Sequence, residues 1–214
     1  MCVILNIIIY FWMNNMLNIK KAFPVHKFSS NTYIIDSGGE VAVIDPSVPY
    51  DSSLFEGRLK YILLTHSHFD HILDIDSWVN AGGEVIVSEF ERDFLPDPKK
   101  NCYALFFAEN KGYHGDATCV SDGDTLALGD EVIEVISVPG HTCGSLVYRV
   151  GKIGFVGDTV FAGGGYGRFD LPSGNVSELL RSIQQICSFP DDTVLYPGHG
   201  EATTVKEFKD DFNR

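Results

Sequence analysis

The chain has 214 residues, which is a suitable length for one globular domain with a substantial core. Its formal net charge of −13 argues against non-specific binding to nucleic acid, because phosphates demand clustered Lys and Arg. The 5 cysteines are an odd number and include no C-x-x-C pair. We therefore expect no disulfide framework and a reducing cytoplasmic setting. A small-molecule substrate is expected rather than a nucleic acid.

The N-terminal segment, residues 1–16, is strongly apolar. It is too short for a membrane-spanning helix, which needs about 20 residues, so no stable membrane span is expected. The first positive charge is Lys20, so the segment also lacks the basic region of a secretory signal. Two interpretations remain, an extension outside the fold that arises from an upstream start codon, or a membrane-associating anchor. The folded domain is predicted to span residues 17–214.

The first half of the domain combines strand signals with one helix. The sequence Ser37-Gly38-Gly39 predicts a hairpin turn between two strands. Ile72, Ile75 and Val79 keep helical spacing, and Gly82-Gly83 ends that helix. Short apolar runs predict strands at residues 31–35, 41–44, 59–64 and 84–87.

The second half repeats this organisation. Residues 176–186 form an amphipathic helical pattern, and Asn175 with Glu178 resembles a capping box at its start. Thr204 and Glu207 repeat the capping pattern for a last short helix. Apolar runs predict strands at residues 132–138, 145–150, 153–156 and 193–196.

Residues 90–118 are the least regular stretch of the chain and include four aromatic side chains after residue 100. Two interpretations are open for this segment, a cover over an active site or an ordinary surface connection.

The most informative motif follows the strand predicted at residues 59–64. Three histidines and an aspartate fall within six residues, 66–71, and imidazole with carboxylate suits zinc, iron or manganese. A loop after a strand lets such ligands converge on one point. A His-rich surface loop is the alternative, but further candidate ligands end three later apolar runs, each beside glycine. The seven candidate ligands are His66, His68, Asp70, His71, His141, Asp158 and His199.

The pattern H-x-H-x-D-H, with the three later ligands, resembles the metallo-β-lactamase-fold hydrolases. The resemblance covers residues 17–214 and implies an α/β fold, a four-layer αββα sandwich with its ligand loops along one edge. The strand-rich halves with their helices fit that architecture. Five motifs resemble the glyoxalase II (hydroxyacylglutathione hydrolase) branch in particular: Ile44-Asp45-Pro46, Pro139-Gly140-His141-Thr142, Gly157-Asp158-Thr159-Val160-Phe161, Gly167-Arg168-Phe169-Asp170-Leu171 and Tyr196-Pro197-Gly198-His199-Gly200.

Seven candidate ligands exceed what one tetrahedral ion uses, so two divalent metal ions are predicted, zinc first, with iron or manganese also suitable. An aspartate between two cations lowers their mutual repulsion. The resemblance gives Asp70 and Asp158 catalytic roles and implies that a metal-bridging hydroxide attacks the substrate carbonyl. Matched position by position, it places His66, His68 and His141 on one ion and Asp70, His71 and His199 on the other, with Asp158 as the bridge.

Other candidates surround the ligands. Asp45 follows a predicted strand and either supports the ligand loop or forms an ordinary Asx turn. Tyr166 and Arg168 are candidate substrate contacts, because Arg168 offers a planar fork for a carboxylate. Arg168 could instead pair with Asp170 and shape its own loop. Cys143, two residues after His141, is a weaker candidate as a thiolate ligand, because three histidines and an aspartate already complete a site.

The resemblance implies a binuclear metallohydrolase that acts on thioesters, since a thiolate is a good leaving group. The absence of a G-x-S-x-G motif agrees with a metal-activated nucleophile. Alternatives are a persulfide dioxygenase with one iron, a lactonase or β-lactamase, and a metal-binding scaffold; the scaffold is disfavoured because no ligand is missing. Classical glyoxalase II has a C-terminal helical domain, whereas 15 residues follow His199 here, so S-lactoylglutathione is a doubtful substrate.

Overall fold

The computed structural model of the chain describes residues 7–10, 17–22 and 26–214. One sheet has seven strands that neighbour each other in chain order. Its strands are antiparallel from the first to the fourth and parallel from the fourth to the seventh. They are β1 (Ile7–Tyr10), β2 (Asn18–Ala22), β3 (Thr32–Ser37), β4 (Glu40–Ile44), β5 (Arg58–Leu63), β6 (Glu84–Ser88) and β7 (Thr118–Val120).

The second sheet has six strands in the order β15-β14-β11-β10-β9-β8. The pair β11–β14 is parallel and the other neighbours are antiparallel. Two further strands, β12 and β13, form a separate ribbon. The bounds in chain order are β8 (Thr125–Leu128), β9 (Glu131–Ser137), β10 (Leu146–Val150), β11 (Ile153–Gly157), β12 (Val160–Phe161), β13 (Gly165–Tyr166), β14 (Val194–Pro197) and β15 (Thr203–Thr204).

Within the described residues, four α-helices accompany the sheets: α1 (Ile75–Asn80), α2 (Tyr103–Phe106), α3 (Val176–Cys187) and α4 (Val205–Phe212). Single 3₁₀ turns lie at Ser52–Leu54, Phe69–His71, Arg92–Phe94 and Ala162–Gly164. Among the described residues, no helix combines the length and the apolar character that crossing a membrane would require.

The side chains of each sheet alternate between two hydrophobic layers, as the two-residue period of a strand requires. In β3, Tyr33 and Ile35 enter the layer between the sheets, whereas Ile34 packs outside against the layer that contains Trp78 of α1. On the far side, the second sheet packs against α3 and α4, whose buried side chains include Ile183. The layers are therefore helix, sheet, sheet, helix, and the predicted αββα sandwich is confirmed.

Local signals account for the ends of several elements. The predicted hairpin is confirmed, since Gly38 and Gly39 have φ angles of 53° and 79° between paired β3 and β4. The Thr204–Glu207 capping box is also confirmed. At α3, Asn175 caps the helix, but its backbone N–H donates to the Gly140 carbonyl, so the reciprocal bond expected from Glu178 is replaced.

The sequence pattern predicted no strand at the positions of β1 and β2. The backbone of residues 7–10 pairs with β2 and forms one edge of the seven-stranded sheet. Residues 1–6 and 11–16 of the predicted N-terminal extension lie outside the described residues. Whether the extension is dispensable stays a prediction. Ile19 of β2 belongs to the core between the sheets, so the domain includes β2.

Strand direction decides where the candidate ligands meet. The chain leaves β4 and β5 at the same edge, because these strands are parallel. In the second sheet, β9, β11 and β14 also share one direction, and a candidate ligand follows each of them. A backbone bond of 2.8 Å from Leu146 N to the Thr65 carbonyl joins the two sheets there, and Asn31 N donates to the Gly198 carbonyl at 2.6 Å. The ligand loops therefore gather along one edge of the sandwich.

Candidate metal centre

A first set of three imidazoles comes from two loops. His66 and His68 leave the end of β5, and His141 follows β9. Their facing nitrogens lie 3.1 Å apart for His66 Nε2 and His68 Nδ1, 3.2 Å for His66 Nε2 and His141 Nε2, and 3.0 Å for His68 Nδ1 and His141 Nε2. All three side chains are buried. Three nitrogens thus converge on one point.

A second set contains Asp70, His71 and His199. The 3₁₀ turn that begins at Phe69 carries Asp70 and His71, and His199 follows β14. Asp70 Oδ2 lies 3.1 Å from His199 Nε2 and 3.8 Å from His71 Nε2. One carboxylate and two imidazoles from two separate parts of the chain therefore face each other.

The Asp158 carboxylate lies between the two sets. Its Oδ1 is 3.3 Å from His71 Nε2, and its Oδ2 is 3.5 Å from His199 Nε2 and 3.8 Å from His141 Nε2. Asp158 also forms a possible ligand group with His66 and His71. It therefore contacts members of both sets. Two of the three possible ligand groups in the described part of the chain contain the same residues as the two triads that the resemblance implies, and the third takes one histidine from each triad. The assignment of each residue to one ion stays a prediction.

The chemistry of these groups fits divalent metal ions. Ligand nitrogens at the zinc–nitrogen bond length of 2.0–2.1 Å in a tetrahedral site are about 3.3 Å apart, close to the spacing of the first set. Two buried atoms, His71 Nε2 and Asp158 Oδ1, face each other at 3.3 Å, and neither has a further hydrogen-bond partner among the described residues. A Cβ added to Gly198 would overlap both of these side chains, so only glycine leaves the space free.

The protonation of the two sets differs. Burial lowers the pKa of His66 and His68, that of His68 to about 3, so these imidazoles stay neutral and keep lone pairs for a cation. Burial also disfavours a charged His71, but the carboxylates of Asp45 and Asp158 outweigh it and raise the His71 pKa. For Asp158 the penalty of burial is outweighed by His71, which lowers the pKa of the carboxyl. Carboxylates therefore surround His71 in the second set, whereas His66 and His68 of the first set are neutral imidazoles.

The family model of the metallo-beta-lactamase superfamily matches residues 27–199. The chain belongs to the metallo-β-lactamase superfamily. A probable metallo-hydrolase of Streptococcus pyogenes is 31% identical over an alignment 214 positions long that covers 91% of this chain and 89% of the relative. The hydroxyacylglutathione hydrolase GloC of Haemophilus influenzae is 30% identical over 197 residues, covering 87% of this chain and 92% of GloC.

Solved structures of the superfamily agree in fold. The B3 metallo-β-lactamase BLEG-1 superposes with a TM-score of 0.80 at 29% identity, covering 90% of this chain and 96% of that protein. The protein TTHA1623, solved in a di-iron-bound form, superposes with a TM-score of 0.75 at 26% identity, covering 88% of this chain and 98% of the other. These similarities support a metallohydrolase fold with a metal site.

Two candidate ligands, His71 and His141, are oriented by groups outside the two candidate sets. Asp45 is 2% exposed, and its Oδ2 lies 2.8 Å from His71 Nδ1. Its carboxylate also accepts bonds of 2.8 Å from Thr65 N and 2.7 Å from Thr65 Oγ1. The Arg168 carbonyl oxygen lies 2.7 Å from His141 Nδ1. Each acceptor favours the tautomer with the proton on Nδ1, and it holds the ring so that the lone pair of Nε2 faces the candidate metal centre.

The loop after Asp158 approaches the ligands through its backbone. A Cβ on Gly167 would overlap the Asp158 carbonyl and lie 2.9 Å from His141 Nδ1. The Arg168 side chain points elsewhere, because its guanidinium makes two bonds of 2.8 Å to Asp170. The ring of Tyr166 packs on Phe212 at a centroid distance of 6.1 Å. Substrate contact by Tyr166 or Arg168 therefore stays a prediction.

The irregular stretch at residues 90–118 partly packs beside the ligand loop. Phe69, which lies between His68 and Asp70, contacts Phe106 at a centroid distance of 5.3 Å and Phe107 at 5.5 Å. Phe106 remains 46% exposed. The segment thus contributes an aromatic wall to the ligand loop, while its role as a cover stays a prediction.

The four cysteines that the structure describes take no part in these groups. Cys143 Sγ lies 4.0 Å from the Phe90 carbonyl oxygen, and Cys143 is absent from the three possible ligand groups among the described residues. The cysteines that the structure describes, Cys102, Cys119, Cys143 and Cys187, are free thiols.

Two supporting residues escaped the sequence pattern. Asn31 donates through Nδ2 to the carbonyls of Pro197 and Gly200, both at 2.9 Å, and so holds the loop that carries His199. Glu91 is buried and accepts hydrogen bonds from Ser67. Neither residue lies in a local motif, because its partners are distant in sequence. The one signal in the sequence was the position of Glu91, an acidic residue shortly after an apolar strand.

Proposed function

We propose that this superfamily member is a binuclear metal-dependent hydrolase of thioesters. The observation that carries the proposal is the position of the Asp158 carboxylate, with Oδ2 3.8 Å from His141 in one donor set and 3.5 Å from His199 in the other. Two donor sets that share a carboxylate suit two ions about 3.5–4 Å apart. The 30% identity to GloC supports the thioester class.

The proposed reaction breaks the C–S bond of a thioester and forms a C–O bond, releasing a carboxylate and a thiol. Bound divalent ions would supply a water of lowered pKa as the nucleophile and would polarise the carbonyl oxygen. The residues of the protein orient the candidate metal ligands. Asp45 and the Arg168 carbonyl fix the orientation of His71 and His141.

Asp70 and Asp158 add negative charge to the region. Asp70 keeps a lowered pKa: burial opposes ionisation, but the nearby His71 outweighs it. Both carboxylates are thus anionic at neutral pH and can accept a hydrogen bond from a water molecule or balance the charge of cations. We assign Asp70 the role of orienting the attacking water and Asp158 the role of joining the two metal sites.

A substrate panel combined with metal analysis tests this proposal. Protein purified without chelator is expected to carry close to two metal ions per chain and to hydrolyse acyl thioesters. One ion per chain, with sulfur oxidation of a persulfide and no thioester hydrolysis, would replace the proposal by the dioxygenase alternative. Iron is a serious candidate beside zinc, because TTHA1623 was solved with two irons.

A second candidate activity is β-lactam hydrolysis. It is favoured by the similarity to BLEG-1, at a TM-score of 0.80 and 29% identity. Both substrate classes present an activated carbonyl, so either could react at the same site. Including a β-lactam in the same panel separates the two activities. A kcat/KM for a β-lactam above that for every thioester would make this second activity the primary one.

A further inference from the structure

Glu91 is a fully buried acidic residue outside the seven candidate ligands. It lies just after β6 and begins the 3₁₀ turn Arg92–Phe94. We infer that Glu91 is a positioning residue that holds the two loops carrying the first three imidazoles in a metal-binding arrangement. The inference rests on the proposed metal centre and adds to it a residue that touches no metal and no substrate.

The contacts of Glu91 reach both loops. Its Oε2 accepts a hydrogen bond of 2.8 Å from Ser67 N and another from Ser67 Oγ. Its Oε1 accepts a bond of 3.3 Å from Gly144 N. Ser67 stands between His66 and His68, and Gly144 follows His141 by three residues. One carboxylate therefore ties the loop of two imidazoles to the loop of the third.

The surroundings of Glu91 are built for a carboxylate. A Cβ on Gly144 would overlap Glu91 Cγ and lie 2.9 Å from Ser88 Oγ, so the side chain fills the space that this glycine leaves. A buried carboxylate is costly unless its oxygens are hydrogen-bonded. Three donors from two loops offset that cost here, and among the described residues no lysine or arginine forms an ion pair with Glu91. A cation held by the neighbouring imidazoles would further stabilise the charge.

Glu91 acts on a different part of the centre from Asp45. Asp45 holds His71 and Thr65, whereas Glu91 holds the residues that flank the first set of imidazoles. The two loops are already joined at their base by the bond from Leu146 N to the Thr65 carbonyl. Removing the Glu91 charge is therefore expected to loosen the ligands rather than to unfold the domain.

The test is a metal titration of the full chain. Zinc is titrated into the metal-free protein against a chromophoric chelator, which gives an affinity for each of two equivalents. In Glu91→Gln the amide oxygen serves one loop, but the NH₂ group faces the donors of the other. We expect one equivalent to bind about 10–100-fold more weakly and the other to change less than about threefold. Asp93→Asn removes an exposed charge from the same turn and should leave both affinities unchanged.

Two results would overturn the assignment. One is an unchanged affinity for both equivalents in Glu91→Gln. The other is an equal loss for both, together with a lower Tm of the metal-free protein, which would mean that Glu91 supports the fold in general. If Glu91→Gln does not fold, Ser67→Ala decides, because it removes a single hydroxyl donor and should weaken the same equivalent about threefold to tenfold. Thioester assays of the wild-type chain test the proposed function separately.

Discussion

The Nδ1 atom of His71 lies 2.8 Å from Oδ2 of Asp45, although the two residues are 26 positions apart in the sequence. Asp45 has a φ angle of +53°, a left-handed conformation that Asp and Asn tolerate better than most residues. This conformation follows directly after β4 and lets the carboxylate serve both His71 and Thr65. An aspartate at position 45 thus suits both the left-handed backbone and the donors on His71 and Thr65.

Asp45→Asn tests this relationship without disturbing the backbone. The amide oxygen can still accept from Thr65 N, but the NH₂ group cannot accept from His71 Nδ1 or Thr65 Oγ1. We expect one metal equivalent to bind about 10–100-fold more weakly in a chelator competition. Asp51→Asn is the matched control, because an asparagine there keeps the turn cap near the surface. Equal metal affinity in Asp45→Asn and the wild type would contradict the role of Asp45.

Asp158→Ala tests the shared carboxylate. We expect the wild type to hold close to two metal ions per chain and the variant to lose most of them, because the variant leaves the two donor sets without their common ligand. Elemental analysis after gel filtration measures the stoichiometry, and a thioester assay measures the accompanying loss of kcat. Asp192→Ala removes an exposed carboxylate that is paired with Lys152 and should retain both ions. Full activity with one ion per chain would exclude the binuclear hydrolase.

The two metal equivalents should differ in their sensitivity to acid. Protons compete weakly at His66 and His68, since burial lowers the pKa of both, that of His68 to about 3. Protons compete strongly at His71 and His199, whose pKa values are raised by neighbouring carboxylates despite burial. As the pH falls below neutrality, the bound metal should drop from two ions per chain to one before the remainder is lost. Simultaneous release of both ions would show that the two sets do not bind independently.

The apolar N-terminus gives a deletion series. Removal of residues 1–15 takes away β1, an edge strand, and is expected to leave soluble folding and activity intact. Removal of residues 1–22 also takes away β2, whose Ile19 and Ala22 are buried, and should lower the Tm clearly. Thermal unfolding and thioester turnover of both truncations measure the difference. Failure of the shorter truncation to fold would mean that β1 is an integral strand.

Arg168→Ala tests substrate recognition by the loop after Asp158. If the guanidinium leaves Asp170 to bind a substrate carboxylate, KM should rise severalfold for carboxylate-bearing thioesters and stay unchanged for neutral ones. Asp170→Ala frees the same guanidinium and should lower KM for the carboxylate-bearing substrates. An equal loss of kcat/KM for both substrate types, with a lower Tm, would make the Arg168–Asp170 pair purely structural.

Local patterns in the sequence determined much of the architecture. Alternating apolar residues predicted strands close to β3–β6, β9–β11 and β14, and the Thr204–Glu207 pair marked the start of α4. The short strands β7, β8, β12, β13 and β15 were missed, because runs of two to four residues carry too little periodicity. The reciprocal bond expected at Asn175 was also missed, since the Gly140 carbonyl that takes its place is distant in sequence.

The candidate ligands were recognisable from the sequence because histidine and aspartate beside glycine at strand ends are chemically distinctive. Their distances were not, since β5, β9, β11 and β14 had first to be aligned by sheet pairing and by packing of the two sheets. Only the tertiary structure placed Asp158 between two donor sets, turned the Arg168 side chain to Asp170, and brought Glu91 against Ser67 and Gly144. Chemical identity is a local property of the chain, whereas orientation depends on hydrogen bonds between loops that the fold alone brings together.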